Sequence, residues 1–542
     1  MNGAVSVALD APPDDASSDG VEHHDAADDG QVGGPMRPLA LALLFAPYAV
    51  ALVLAQVPLL SYGTAWVGSL WILWLSIGGH VRALPDGGSA LDQVTRPIVL
   101  TQILFSFYNF LTSVFYVADL YGYYYFKHTG LAQVDMQAVA VAAEAQRYYV
   151  LAHAGIAAGM LLLMRYPDRG EWAVRPLKDP ARAALILSVV GLLLGKALGA
   201  QNQFGIRIGQ IGLVASVLAL ALALPNRKIG TLLLGLALFG VNLSSAFLSG
   251  WKEEVLVMVI LLAVFVYPYA RKTVLVGAPI ALVFLLAVLP TYAAIFRGLS
   301  WSGEASANDA AAVAVSEIQS GRTDLADTNW EFLTGRISEI GLFTGYIDSF
   351  KGVNGSYGNA FYGTRIVAQS VTSLVPRMFW ASKPITETIV MERVYESGIV
   401  DRASNVSAKP QYVVDGYLSG GAWGVLLAGL AFGLLASLAS RASERWFGGY
   451  FWGSGLVYTA MFTAFWRGNT FEFFFNTVFW SFVLLIPLFY IGRWSGLIVH
   501  ASDLELDASF DDEPFDDEPD GELGEEVGGP YDRRRGLWPA AG

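Results

Sequence analysis

Between Pro38 and Trp494 the chain alternates long apolar stretches with short polar connections, and the stretches have the length needed to cross a bilayer. The pattern predicts an all-α polytopic integral membrane protein of about 12 transmembrane helices. The spans lie near residues 38–57, 62–79, 97–118, 147–164, 182–199, 205–224, 229–248, 254–270, 273–293, 419–439, 449–466 and 472–492. Lys and Arg fall on alternate connections. One set holds Arg37, Arg82, Arg96, Arg165, Arg169, Arg175, Lys178, Arg182, Arg227, Lys228, Arg271, Lys272, Arg441, Arg445 and Arg493, and the short connections of the other set hold only Lys127, Arg147, Lys252 and Arg467. Because basic loops stay in the cytoplasm, this bias puts both termini inside and the one long interior polar segment, 296–418, outside.

The expected organisation is an acidic cytoplasmic tail (1–36), helices 1–9 (37–295), a large, partly helical extracytoplasmic loop between spans 9 and 10 (296–418), helices 10–12 (419–494) and a second acidic cytoplasmic tail (495–542). Residues 1–36 carry eight acidic and no basic side chains, and residues 500–542 carry fourteen acidic side chains against Arg533, Arg534 and Arg535. The net charge of −13 is thus a property of the tails, since everything between them sums to +6. Both tails are poor in large apolar residues and are expected to be disordered. Across the 542 residues, 54% are hydrophobic and 15% charged, so the bilayer is the main solvent. With no cysteine, disulfide frameworks, thiolate metal sites and cysteine nucleophiles are excluded. No phosphate-binding glycine loop ending in Lys-Ser or Lys-Thr occurs, nor a His-Glu-x-x-His, so nucleotide hydrolysis and zinc proteolysis have no support.

Once sides are assigned, the ionisable groups near the outer helix ends become informative: Lys196, Arg207, Lys252, Glu253, Glu254, Arg297, Arg467 and Glu472. Charges within a bilayer are costly unless paired, and cations gathered at headgroup depth suit a phosphate group. Within the outer segment, 302–328 reads as a surface helical insert. Trp330, Leu333, Ile337, Ile340 and Phe343 to Phe350 recur at helical spacing, which predicts an amphipathic helix lying on the membrane face. A second helix, about Phe361 to Leu374, stops before Pro376. The phrase Val375-Pro376-Arg377-Met378-Phe379-Trp380-Ala381-Ser382-Lys383-Pro384 then predicts a rigid turn carrying Arg377 and Lys383 at the membrane surface.

The stretch from Arg336 through Lys383-Pro384 resembles the signature of bacterial O-antigen and oligosaccharide-repeat-unit polymerases, as do Asp415-Gly416-Tyr417-Leu418 leading into Gly420-Gly421-Ala422-Trp423-Gly424-Val425, and Leu248-Ser249-Gly250-Trp251-Lys252-Glu253-Glu254. Trp251-Lys252 departs from the Arg usual there. The resemblance implies a metal-independent membrane glycosyltransferase, without cofactor, at the outer face of the cytoplasmic membrane. It implies as substrate an oligosaccharide on polyprenyl pyrophosphate, polymerised into a surface polysaccharide alongside the pathway's flippase and chain-length regulator, and no nucleic acid. Departing phosphates need stabilising charge, for which Arg297, Arg336, Arg377 and Lys383 are the candidates, with Arg207 and Lys252 behind them. Asp415, Glu253 and Glu472 are the candidate general bases.

Plainer roles compete. Arg377 can neutralise lipid headgroups, Asp415 can cap a helix, His153 can be a core histidine, and the aromatics Tyr121 to Phe126 can anchor at the interface. Two other function classes stay open: a ligase transferring finished glycan, and a lipid-linked oligosaccharide transporter, which is expected to show repeated halves.

Overall fold

The computed structural model describes residues 34–84, 90–123, 134–166, 170–199, 203–225, 227–250, 252–321, 325–352, 359–375, 379–380, 382–403, 409–467 and 469–504. Both terminal tails expected to be disordered fall outside them, apart from a few residues at their inner edges. Helices dominate: α1 Pro38–Gln56, interrupted near its middle, α2 Pro58–Ile77, α3 Pro97–Leu120, α4 Met136–Leu163, α5 Pro180–Leu198, α6 Gln203–Ala223, α7 Ile229–Ser249, α8 Lys252–Val266 and α9 Arg271–Ser300. The long segment between α9 and the next spanning helix contributes α10 Ala307–Ser320, α11 Leu325–Phe332, α12 Ile340–Gly352, α13 Asn359–Leu374 and α14 Thr386–Glu396. Two long helices follow, α15 Tyr412–Trp446 and α16 Phe471–Trp494.

Among the described residues nine helices, α1–α3, α5–α7, α9, α15 and α16, are long and apolar enough to cross a membrane. The other three predicted spans take different forms. Residues 147–164 are the second half of the 28-residue α4, 254–270 corresponds to the 15-residue α8, and 449–466 is a π-helical run, Tyr450–Tyr458, followed by two short α-helical pieces. Several helices start where the sequence supplies the means. Pro38, Pro58, Pro97 and Pro180 stand at first helical positions, where a missing N–H costs nothing. Asp135 and Asp179 cap α4 and α5 by accepting from Ala138 N and Arg182 N at 2.9 and 3.0 Å.

Close helix packing rests on glycine. Where α4 meets α15, a Cβ on Gly159 would stand 2.4 Å from Leu430 O, and one on Gly433 2.2 Å from Ile156 O. A Cβ on Gly191 or Gly195 of α5 would stand 2.8 and 2.7 Å from the Cα of Gly212 and Gly209 of α6.

Contacts between chain ends gather many of the basic connections on one face. Arg37 N donates to Val81 O (2.8 Å), and Arg175 N donates to Leu497 O (2.8 Å). Strand β1 (Trp172–Val174) pairs antiparallel with β2 (Ile498–His500), with Ala173 opposite Val499. Lys228 lies 2.9 Å from Asp179. Arg96 Nε is 2.8 Å from Glu444 Oε1, and its guanidinium lies over the rings of Tyr166 and Tyr450. Residues 498–500, assigned from sequence to the second tail, are therefore part of the fold.

The segment from α10 to α14 departs most from expectation. The helix expected to lie on the membrane is broken by a π-turn at Leu333–Ile337, and the apolar face of α12 is core instead: Ile340, Phe343, Tyr346 and Ile347 are fully buried. Phe343 meets Tyr149 of α4 edge to face at 5.2 Å. α10, expected as a surface helical insert, is such a helix, with most of its residues exposed and Ala310 and Ala314 seating it on the cluster built from α5–α9. The loop boundary at 418 falls inside α15, which breaks at Gly420–Gly421. Gly421 has φ +56°, a conformation that strains any residue with a Cβ. Beyond the break the chain doubles back: Gly416 packs on Gly424, and the ring of Tyr412 stacks on Phe432 at 4.2 Å. Residues 412–419 thus form one arm of a hairpin laid antiparallel along the rest of α15.

Candidate functional site

The first turn of α16 receives side chains from three parts of the chain. Arg393 of α14 is fully buried; its Nη1 donates to Glu472 Oε1 at 2.8 Å, and its Nη2 stands 3.2 Å from Glu472 Oε2 and 3.0 Å from Asp415 Oδ1. Gln369 of α13 accepts from the same Nη1 at 3.1 Å. Asp415 Oδ2 in turn accepts from Phe471 N at 3.0 Å. The hairpin arm delivers Asp415, α16 delivers Glu472, and α14 carries the guanidinium between them. Asp415 and Glu472 are also fully buried. One guanidinium faces two carboxylates in a dry site, where unpaired charge is expensive. Such an arrangement holds its members in fixed orientation.

Two predicted cations border this cluster. Lys383, 9% exposed, donates from Nζ to Ser373 O at 2.7 Å and to Val375 O at 2.9 Å. It covers the carbonyl end of α13, where a cation suits the helix dipole. The same Ser373 is joined to α16 twice: its Oγ donates to Glu472 O at 3.1 Å, and its carbonyl accepts from Asn476 Nδ2 at 2.7 Å. One turn further along α16, Arg207 Nη2 donates to Thr477 Oγ1 at 2.9 Å, and its Nη1 donates to Gln210 Oε1 at 3.0 Å. Lys409 lies 3.4 Å from Glu387 Oε1 and over the ring of Phe473.

The remaining candidates lie elsewhere or outside the described residues. Arg297 sits at the α7–α8 turn with α9, where its Nε donates to Gly250 O at 2.9 Å and its guanidinium covers Trp301. Lys252 and Glu253 open α8, and Arg336 stands in the π-turn; their side chains fall outside the described residues, as does Arg377 entirely. His153 is a core histidine, fully buried, with Nε2 3.1 Å from Gln102 Oε1 and its ring beside Phe105 and Phe110. Of the aromatic cluster after α3, Tyr123 packs on Trp330, and residues 124–126 fall outside the described set.

Arg393 was not among the sequence candidates. Polar and apolar residues are mixed in α14, with Glu392 directly before Arg393, and a charge pair of this kind normally marks a solvated face. The available signal was that Val390 and Val394 flank Arg393 on a face the structure buries.

Helical packing and apolar span lengths define an all-α membrane protein of several passes. More particularly, residues 46–500 match the family model described as domain of unknown function DUF8712, and the chain belongs to that family. Neither the curated proteins nor the solved structures give a match.

Proposed function

We propose that the protein is a glycosyltransferase of the cytoplasmic membrane, with twelve passes and both termini inside. In this reading it polymerises oligosaccharide repeat units carried on polyprenyl pyrophosphate at the outer face. The twelve-pass reading is supported by counting α4, α8 and the 450–467 run with the nine long helices. Its orientation is supported by the basic ends that the contacts gather on one face.

The observation that carries the functional reading is the convergence of Arg207, Lys383 and Arg393 with Asp415 and Glu472 on the first two turns of α16. From Glu472 to Trp494, α16 rises about 33 Å at 1.5 Å per residue, roughly the thickness of the hydrocarbon core. With the proposed orientation, this length supports a cluster at the outer edge of the core, the depth of a lipid-linked pyrophosphate. Cations bordering the cluster stabilise the departing diphosphate, and the Asp415–Glu472 pair, oriented by Arg393, takes the proton of the attacking hydroxyl. Since the triad is sealed, loading requires α14 to part from α16.

The direct test is incubation of purified protein in lipid vesicles with a polyprenyl-pyrophosphate-linked repeat unit, read by product size. A ladder of multiples is expected, lost or reduced at least tenfold in Arg207→Gln. A single transfer to an acceptor with no ladder would favour the ligase reading, and movement of unchanged substrate across the bilayer the transporter reading.

A further inference from the structure

α13 connects the outer tip of the α15 hairpin to the level of the charge cluster. Near its start, a Cβ on Gly363 would stand 3.3 Å from that of Ser419, beside the hairpin break. Near its end, Ser373 is hydrogen-bonded to Glu472 and Asn476. The ten residues between advance about 15 Å, and the hairpin covers a similar depth, because Tyr412 stacks on Phe432 ten residues beyond Ala422. α13 therefore runs steeply down from the tip to the outer edge of the hydrocarbon core and does not lie flat.

Its two sides differ. Ile366, Ser370 and Ser373 are buried in the protein, whereas Val367 and Val371, four residues apart, are exposed. The exposed apolar line continues past the end of the helix into Phe379, 76% exposed, Trp380 and Ile385. Leaving this row in water would oppose the hydrophobic effect at the place where α13 reaches lipid depth. On the neighbouring side the first turn of α16 meets charged, partly exposed groups, Lys409 and Glu387, so the wet side and the apolar side of the unit are distinct. Trp380, whose Nε1 donates to Ser382 Oγ at 3.1 Å, has the amphipathic character found at bilayer interfaces. Lys383 satisfies the last carbonyls of α13, which lets the helix end at that depth without exposing bare backbone acceptors.

We infer that the lower end of α13 and the aromatic pair Phe379–Trp380 dip into the outer leaflet at the boundary between its headgroups and its hydrocarbon, their occupant being the upper segments of its acyl chains. The element is a membrane-dipping wedge that walls the Arg393–Asp415–Glu472 cluster off from lipid. This rests on the membrane class, the packing and the orientation and depth proposed above, and is independent of the transfer reaction.

The absence of cysteine from the chain allows a clean test. Val371→Cys and Phe379→Cys are each nitroxide-labelled in the full-length protein in phospholipid vesicles, and collision with oxygen and with a water-soluble nickel chelate is measured by electron paramagnetic resonance. Val283→Cys, on the exposed side of α9, serves as the lipid reference, and Ser302→Cys, on the outer surface, as the water reference. The expected result is an oxygen-to-nickel accessibility ratio at Phe379 and Val371 several-fold above that of Ser302 and shifted toward that of Val283. A nickel accessibility like that of Ser302 overturns the inference in favour of a water-facing loop. Accessibility to neither reagent overturns it in favour of cover by protein.

Discussion

At the scale of single residues, the most consequential side chain is Arg393, because it is the common partner of two buried carboxylates. Removing one member of a buried ion cluster leaves the others charged and unpaired, at a cost of about 3–5 kcal/mol. Arg393→Ala is therefore expected to lower the thermal transition of the purified protein sharply. Arg393→Lys is expected to recover little, because an ammonium cannot reproduce a planar fork reaching Glu472 and Asp415 together. A transition for Arg393→Ala within a degree or two of wild type would show that the cluster is not a structural tie. Asp415 and Glu472 were legible in the sequence as acids beside helix starts. Their joint partner was not, since a pairing between residue 393 and residues 415 and 472 depends on the hairpin that brings them together. Lys383 stood out in the sequence as a cation of a rigid turn, but its acceptors are backbone carbonyls at the end of α13, which no side-chain pattern announces.

For whole elements, periodicity gave the helices and missed their environments. α12 and α13 both show an apolar stripe, and the stronger-looking one, around Phe343, was assigned to the membrane surface. In the fold that stripe packs on Tyr149 while α13 turns Val367 and Val371 outward. An amphipathic stripe states that one face avoids water, and protein core and lipid satisfy it equally. The glycine contacts are sharper. At the α4–α15 crossing, Gly159→Leu would drive a side chain into the backbone of Leu430, and overpacking of this kind costs about 1–3 kcal/mol or more. Gly240→Leu, where nothing lies within 4 Å of the added carbon, is expected to be neutral. Comparing the two by monodisperse yield and melting temperature in detergent separates crossing geometry from a general intolerance of bulk; equal behaviour would remove the crossing as a determinant.

Taken as a whole molecule, the membrane class and the alternation of charge were plain in the sequence, because apolar length and basic loops are direct physical signals. The parts not legible were those depending on broken helices: the fold-back at Gly420–Gly421, the π-helical 450–458 run and the clasp of β1 with β2. Orientation is checked with the cysteine-free chain. A membrane-impermeant maleimide applied to intact cells is expected to label Ser302→Cys and to leave Ser495→Cys unlabelled until the membrane is opened. The reverse pattern would invert every side assigned to the loops.

The separation in sequence between Arg393 and its partners also sets an order of assembly. During synthesis Arg393 emerges first, Asp415 follows, and Glu472 comes 79 residues after Arg393, with α15 and the 450–467 run still to be inserted in between. The segment from α10 to α14 thus waits for α16 before its buried arginine is neutralised. A nascent chain halted before α16 would carry an exposed, unfinished surface, and quality-control proteases would read it as incomplete.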